Sequence, residues 1–344
     1  MHSTLAAYLD VLLPHLGSQI VHPLVVSDVK TLASNLPPIL RGGFECRLSA
    51  NSSQIDLQQC IVQDDIKLLK EHITSSTNTI RWSQLLDFLT EWQSSLKEIP
   101  EIWLEFDNNT ALIPSVFIGL PQSPAHETYQ IAVQSLNLLL QSNWATWQDN
   151  LYRCFATCPD GVFVSHIGVM LSRNSPALRV NIKRLQADLL IPYLQQIGWQ
   201  EETNELEILM QQLSALVDRI TVCLDVGQQI YPQIGLECIF IQQPPHESRW
   251  AVFLDYLVEH NLCEPRKREA LLNWPGQSNP VNSMAPWPKQ LIAASLLEPK
   301  KRFTAFERRL SHIKVVWKPQ GHLEAKAYLW FEHKWLSKNH ESKI

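Results

Sequence analysis

Apolar and polar residues alternate strictly along residues 44–61, on both sides of a short polar segment at 51–53. The apolar set is Phe44, Cys46, Leu48, Ile55 and Leu57, and the polar set is Glu45, Arg47, Ser49, Asp56 and Gln58. Successive side chains of a strand point to opposite faces of a sheet, and Asn and Ser favour turns. The stretch therefore predicts a β-hairpin with one apolar and one polar face.

The same plan recurs along the chain, with two helical segments before each hairpin. The further strand pairs are predicted at 102–107 with 115–119, 162–171 with 178–183, 221–225 with 234–240, and 312–317 with 323–331. The helices are predicted at 4–16, 25–35, 64–73, 82–96, 127–140, 144–155, 184–197, 204–217, 248–259, 265–272 and 290–297. We expect one domain over 1–344, with ααββ repeats at about 1–63, 64–120, 121–184, 185–242 and 243–335 and a tail at 336–344.

Ten antiparallel strands with one polar face can form either a closed barrel or an open sheet. A closed barrel removes the exposed edges and turns the polar side chains into a lumen, whereas an open sheet leaves them in water. The predicted fold class is α+β, a closed antiparallel ten-stranded β-barrel surrounded by helices. The segment 274–289, rich in Pro, Gly, Asn and Ser, is either a lid over the barrel or an ordinary connection.

Strand parity places three kinds of side chain on the polar face. The cations, which could surround a diphosphate, are Arg47, Arg179, Lys183, Lys314 and Lys326. The aromatic residues, which could shield a carbocation, are Trp103, Phe117, Tyr328 and Trp330. The carboxylates are Glu45, which could hold or deprotonate an acceptor, and Asp107, Asp225 and Glu237. Each also has a purely structural interpretation, as a turn residue or as half of an ion pair.

Composition excludes several other classes of protein. The net charge of −5 and the pI near 6.2 provide no general positive field for nucleic acid or anionic membranes. Apolar runs are too short for a membrane span, and seven scattered cysteines suit reduced thiols. No dinucleotide, P-loop, serine-hydrolase or zincin motif is present. We therefore expect a soluble, cytoplasmic protein.

Three strands resemble those of the aromatic prenyltransferases of the ABBA (ααββ, PT-barrel) type. This family includes indole prenyltransferases and the peptide-modifying enzymes of cyanobactin pathways. The matching segments are 44–48 (FECRL), Ala177–Lys183 (ALRVNIK) and 325–329 (AKAYL). The resemblance implies that Glu45 binds the acceptor and takes its proton, that Arg179, Lys183 and Lys326 bind diphosphate, and that Tyr328 shields the allyl cation.

The chain departs from that family at two places. Glu237 stands where the resemblance implies a base, and the second repeat has no cation on its polar face. These differences allow a Mg²⁺ ion between acids and phosphates, or a cationic acceptor. We expect a natural-product transferase that moves an isoprenyl group from an allylic diphosphate to a peptide side chain or a small aromatic. The alternatives are a non-prenylating enzyme that modifies or cyclises peptides, and a barrel that only binds a peptide or metabolite.

Overall fold

A computed structural model describes residues 4–49, 52–76, 80–107, 113–173 and 175–337. Part of the predicted 51–53 turn and most of the predicted tail at 336–344 lie outside the described residues. None of the described helices is both long enough and apolar enough to cross a membrane.

The described strands follow the predicted hairpins closely. They are β1 (Arg41–Arg47), β2 (Ile55–Ile61), β3 (Ile102–Phe106), β4 (Ser115–Gly119), β5 (Phe163–Val169), β6 (Ala177–Lys183), β7 (Arg219–Gly227), β8 (Ile230–Ile239), β9 (Gly276–Ser278), β10 (Phe303–Lys318) and β11 (His322–Leu336). Their order in the sheet is β11-β1-β2-β3-β4-β5-β6-β7-β8-β10-β9, and β11 also pairs with β10. The sheet therefore closes on itself through ten strands, so the predicted barrel is confirmed and the open sheet is wrong.

The helices are α1 (Ala6–Leu9), α2 (Gly17–Ile20), α3 (Pro23–Ala33), α4 (Ile66–Ser76), α5 (Ile80–Ser94), α6 (Ala125–Leu140), α7 (Gln148–Ala156), α8 (Ala187–Ile197), α9 (Asn204–Leu216), α10 (Arg249–Glu259), α11 (Pro265–Asn273) and α12 (Lys289–Leu297). The continuous helix predicted at 4–16 is wrong. It breaks into α1 and a 3₁₀ turn that contains Pro14, which lacks the N–H of a helix interior. Gln141 has φ = 56°, so α6 ends there and the segment predicted at 144–155 begins as a 3₁₀ helix.

Strand β10 begins nine residues before the predicted one, at Phe303 rather than at 312. Its first half contains Arg308, which is buried on the same parity as Phe306. A charged residue at a buried position disguises the alternation that identifies a strand. This half of β10 pairs with the short strand β9, which the sequence did not predict.

The described chain divides into two compact units. Unit 1 comprises 1–59, 242–311 and 327–344, and unit 2 comprises 60–241 and 312–326. In unit 1, the Phe44 ring lies 5.4 Å from Phe331 and 6.1 Å from Trp274. In unit 2, α7 packs against β5 and β7. In each unit most apolar residues of the strands are buried in such contacts, and most polar residues lie on the other face. Gln59 and Arg308 are exceptions, buried on the parity of Leu57 and Phe306. The single domain stays a prediction.

The segment 274–289 is anchored rather than free to move as a lid. The indole N–H of buried Trp274 donates to the carbonyl of Arg309 at 3.0 Å. The indole N–H of Trp287 donates to Thr304 Oγ1, also at 3.0 Å. With β9 also lying in this segment, the structure supports the connecting interpretation.

Candidate functional site

One polar cluster of unit 1 consists of four residues, Glu45, Arg47, Asp56 and Tyr328. Glu45 on β1 is 3% exposed and lies directly opposite Asp56 on β2. Arg47 donates from Nη1 to Glu45 and from Nη2 to Asp56, the latter at 3.1 Å. Tyr328 on β11 donates its hydroxyl hydrogen to Glu45 Oε2. The cluster combines two opposed carboxylates with the cation and the hydroxyl that stabilise them.

Arg47 is a firmly bound counter-ion in this cluster. Burial by itself would lower the pKa of its guanidinium, but Glu45, Asp56 and Tyr328 raise it above the usual value. The same strand end is held by Lys267 of α11, which is 2% exposed. The Lys267 ammonium donates to the carbonyls of Arg47 at 2.9 Å, Ser49 at 2.8 Å and Ser52 at 2.5 Å. Helix α11 therefore fixes the backbone that carries the cluster.

Unit 2 carries an arginine–aspartate pair on its polar face. Arg179 on β6 and Asp225 on β7 are directly opposed in the strand register. The Arg179 Nε donates to Asp225 Oδ1 at 2.6 Å, and its Nη2 donates to Oδ2 at 3.2 Å. This forked geometry is the arrangement in which Arg also binds phosphate. The position predicted for a diphosphate ligand is therefore filled by a carboxylate of the chain.

A second group in unit 2 surrounds Glu237. Its Oε1 lies 3.4 Å from the Lys314 ammonium and accepts hydrogen bonds from Asn181 Nδ2 at 3.2 Å and from the Cys223 thiol at 3.1 Å. The His312 Nε2 lies 4.0 Å away. Burial would raise the pKa of Glu237, but Lys314, His312 and the thiol together lower it to about 2. Glu237 is therefore ionised at any physiological pH.

Burial and the neighbouring Glu237 charge act in the opposite sense on Cys223 and raise its thiol pKa to about 12. A thiol that stays protonated is a poor nucleophile. Cys223 is thus a hydrogen-bond donor in this group and not a reactive residue.

Asp107 is bound by an arginine that strand parity did not identify. Arg173, which follows β5, donates from Nε to Asp107 Oδ2 at 2.8 Å, and its Nη2 donates both to Asp107 Oδ1 and to Glu105, the latter at 3.2 Å. Ser172 donates to the same Oδ2 at 2.7 Å. Glu105 and Asp107 are therefore both paired with a cation of the chain.

The predicted aromatic residues are half-buried on the polar face. In unit 2, Trp103 and Phe117 are opposed on β3 and β4. Next to them lies Gly168, where a Cβ atom would come within 2.6 Å of the Phe117 ring. In unit 1, Tyr328 and Trp330 alternate with buried Ala327 and Leu329 on β11, as the parity predicted.

For two further predicted cations, Lys183 and Lys326, the structure gives the strand position and the burial. Lys183 is half-buried at the end of β6 and is paired in register with Thr221, which is in turn opposite Glu237. Lys326 is half-buried on the same parity as Tyr328. Their phosphate-binding roles, like those of Arg47, Arg179 and Lys314, stay predictions.

A pocket of about 350 Å³ opens beside the Arg179–Asp225 pair. Its lining residues are Ser175, Pro176, Ala177, Asp225, Tyr231, Pro232, Gln233, Lys318 and Pro319. Such a volume is at the lower end of small-molecule sites. It is bordered by one carboxylate, one ammonium group and the rings of Tyr231 and three prolines.

Sequence reasoning missed Arg173 as a site residue because Arg173 follows a strand, where parity has no meaning. Parity placed Asp56 and Asn181 on the polar face without giving either a role, and it left out Cys223, which shares the parity of Asp225. The alternation of apolar and polar residues was visible within each strand. The sequence did not show which strands are neighbours or in what register they pair.

In the part of the chain that the structure describes, no three His, Cys, Asp or Glu side chains are placed to hold a metal ion. Asp107, Asp225 and Glu237 already accept hydrogen bonds from Arg or lie beside Lys. As they stand these carboxylates do not fit a preformed metal site, and Mg²⁺ dependence stays a prediction from the sequence.

Solved structures with a similar fold exist, although no family model and no curated protein matches the chain. 5-Dimethylallyltryptophan synthase from Streptomyces coelicolor is 11% identical, with a TM-score of 0.52 over 96% of this chain and 98% of that one. The apo form of the prenyltransferase PriB is 11% identical, with a TM-score of 0.58 over 95% of this chain and 96% of PriB.

AnaPT from Neosartorya fischeri is 12% identical, with a TM-score of 0.53 over 85% of this chain and 77% of that one. The suspected resemblance to ABBA-type aromatic prenyltransferases is confirmed as a remote likeness. At such low identity the likeness shows the fold alone.

Proposed function

We propose that this protein transfers an isoprenyl group from an allylic diphosphate to an electron-rich aromatic acceptor. The observation that carries the proposal is the buried Glu45 carboxylate on the polar face of β1, which accepts hydrogen bonds from Tyr328 and Arg47. The fold, shared with aromatic prenyltransferases, supports it.

Glu45 is proposed to bind the acceptor. Its two hydrogen-bond donors favour the ionised carboxylate, which can accept a further hydrogen bond from an N–H or O–H of the acceptor ring. The hydrogen bond polarises that N–H or O–H and makes the ring more nucleophilic as a ring atom attacks the allylic carbon. The acceptor loses one proton in total as the new C–C bond forms and aromaticity is restored, and Glu45 is the base that receives it.

The leaving group is proposed to be stabilised by the cations of unit 2, which are Arg179, Lys183, Lys314 and Lys326. The C–O bond to the diphosphate breaks as negative charge moves onto its oxygens, and cations stabilise that charge. The faces of Trp103, Phe117, Tyr328 and Trp330 would attract the allylic cation and exclude water that competes for it.

The acceptor is proposed to be an indole or phenol ring, free or as a side chain of a peptide. The synthase from Streptomyces coelicolor was solved with Trp, and PriB was solved with L-tryptophan and dimethylallyl thiolodiphosphate. A peptide acceptor would place this chain in natural-product biosynthesis.

The test is product formation from dimethylallyl diphosphate or geranyl diphosphate with tryptophan and with Trp- or Tyr-containing peptides, followed by mass spectrometry. Glu45→Gln should lower the turnover at least ~100-fold, as expected for loss of a general base, and leave donor binding intact. The matched control is Glu98→Gln, at an exposed acid. Full activity of Glu45→Gln, or no product with any acceptor, contradicts the proposal.

The ion pairs on the polar face favour a second candidate function. Arg47, Arg179 and Lys314 each already have a carboxylate partner, which suits a barrel that modifies or cyclises a peptide without a prenyl donor. A thermal shift with peptide, and none with allylic diphosphates, favours this candidate over the first.

A further inference from the structure

The cations on the polar face of unit 2 are paired with acids by the sheet itself. Arg179 is opposite Asp225 in the β6–β7 register, and Lys314 is opposite Glu237 in the β8–β10 register. Cross-strand neighbours have Cβ atoms about 5 Å apart, so opposite charges at these positions meet without any loop movement. Both pairs are properties of the folded sheet.

Gly235 leaves room for the side chain of Lys314, which pairs with Glu237. A Cβ atom at Gly235 would lie 2.5 Å from Lys314 Cε and 3.1 Å from Cys223 Cβ. The Lys314 side chain thus lies across β8 at a residue that has no side chain. Any larger residue at 235 would have to move the lysine away from its present position.

Both carboxylates are held by donors of the chain, and Glu237 keeps its charge although it is buried. The pKa of Glu237 is about 2, since Lys314, His312 and the Cys223 thiol outweigh the effect of burial. Asp225 receives two hydrogen bonds from one guanidinium. An anion that approaches Lys314 therefore meets the Glu237 charge, and an anion that approaches Arg179 has to compete with the Asp225 carboxylate.

The Arg179–Asp225 pair is also within reach of a ligand. Asp225 lines the pocket of about 350 Å³, together with the Lys318 ammonium and the Tyr231 ring. The Asp225 and Arg179 side chains are 24% and 20% exposed. An anion in this pocket would lie beside Asp225 and the Lys318 ammonium, which is paired with Glu324. To bind Arg179 it would compete with Asp225, which accepts two hydrogen bonds from that guanidinium.

We propose that Asp225 and Glu237 are internal counter-anions that compete with anionic ligands for Arg179 and Lys314. The proposal rests on the proposed function in one respect: the diphosphate donor binds by taking over cations that the chain otherwise keeps for itself. The allylic diphosphate ester gains extra binding free energy from contacts of its isoprenyl group with the aromatic side chains. Free phosphate or diphosphate lacks that group and gains none. The two acids thereby select the ester and favour departure of the diphosphate product.

The test is calorimetric titration of inorganic diphosphate into wild type, Glu237→Gln and Asp225→Asn, at low and at high NaCl. The amide side chains keep the shape and one acceptor oxygen, and they remove the charge. The matched controls are Glu127→Gln on α6 and Asp160→Asn, two exposed acids of unit 2. We expect each test variant to bind diphosphate at least ~10-fold more tightly than wild type, with a steeper loss at high salt. The controls should stay within ~2-fold.

Unchanged or weaker binding in both test variants overturns the proposal. If Glu237→Gln does not fold, because Lys314 is left buried without an anion, Asp225→Asn at its more exposed position decides. The proposed function is judged separately, by prenylated product. Tighter diphosphate binding by the variants with no product from wild type would support the counter-anions and contradict prenyl transfer.

Discussion

The Tyr328 hydroxyl donates to the carboxylate of Glu45, although the two residues lie 283 positions apart in the sequence. Both belong to unit 1, and Arg47 donates to the other oxygen of the same carboxylate. This contact gives Tyr328 a function that the resemblance did not imply, because a tyrosine that donates to Glu45 also sets where that carboxylate points.

Tyr328→Phe keeps the ring and removes the hydrogen bond. If Glu45 orients the acceptor, we expect kcat/KM for the acceptor to fall about 10-fold, the effect of one hydrogen bond to a charged group, with KM for the donor unchanged. Steady-state kinetics with each substrate varied in turn measures this. Tyr152→Phe, at an exposed tyrosine of α7, is the control. If only the KM for the donor changes, the result would instead support Tyr328 as a residue that shields the allylic cation.

Lys267→Met should destabilise unit 1. The substitution removes three hydrogen bonds from an ammonium that is 2% exposed and leaves the carbonyls of Arg47, Ser49 and Ser52 without that donor. Unsatisfied buried groups cost about 1–3 kcal/mol each, so we expect a loss of at least about 2 kcal/mol in the free energy of unfolding. Urea unfolding measures it, and Lys300→Met, at an exposed lysine, should change it by less than about 0.5 kcal/mol.

Unit 1 should lose stability in mild acid through His15. Arg308 Nη1 donates to Ser278 Oγ at 2.5 Å, so the serine hydroxyl can donate onward to His15 Nε2 at 3.0 Å. Burial, and then the Arg308 charge, lower the pKa of His15 from 6.5 to about 4. The unfolded chain therefore binds the proton first, and stability falls as the pH drops from about 6.5 toward 4.

His15→Gln keeps an acceptor for Ser278 without this titration. The difference in unfolding free energy between pH 7.5 and pH 5 should be smaller in this variant than in wild type. His246→Gln, at an exposed histidine of unit 1, should behave as wild type does. Equal losses in all three proteins would show that His15 does not contribute.

Gly168→Ala should disturb the aromatic pair of unit 2. The added Cβ would meet the Phe117 ring at 2.6 Å and Arg179 Cβ at 3.0 Å, so we expect a loss of about 1–3 kcal/mol in stability. The same substitution in a Phe117→Leu background should cost less, because the smaller side chain leaves room. A double-mutant cycle by urea unfolding measures the coupling, and full additivity would contradict the close contact.

The strands were largely predictable from the sequence, but the first half of β10 was not. Alternation identified β1, β6 and β11 because each has apolar residues on one parity and polar residues on the other. It failed for the first half of β10, where Arg308 is buried against the Trp274 carbonyl and Ser278. Both partners of Arg308 are 30 or more positions away in the chain. From the sequence alone, a buried arginine with such partners cannot be distinguished from a solvent-exposed one.

The sequence by itself determined the five repeats and the parity of each polar residue, since periodicity is a local property of the chain. It favoured a closed sheet, but the pairing of β11 with β1 and β10 that closes it is a long-range contact that only the tertiary structure decided. It placed Glu45, Arg179, Lys314 and Tyr328 on the polar face, each with a side chain suited to one chemical task. Only the tertiary structure decided their partners, because cross-strand register and long-range contacts join residues far apart in the chain. Arg179 meets Asp225, Lys314 meets Glu237 and Tyr328 meets Glu45 through such contacts.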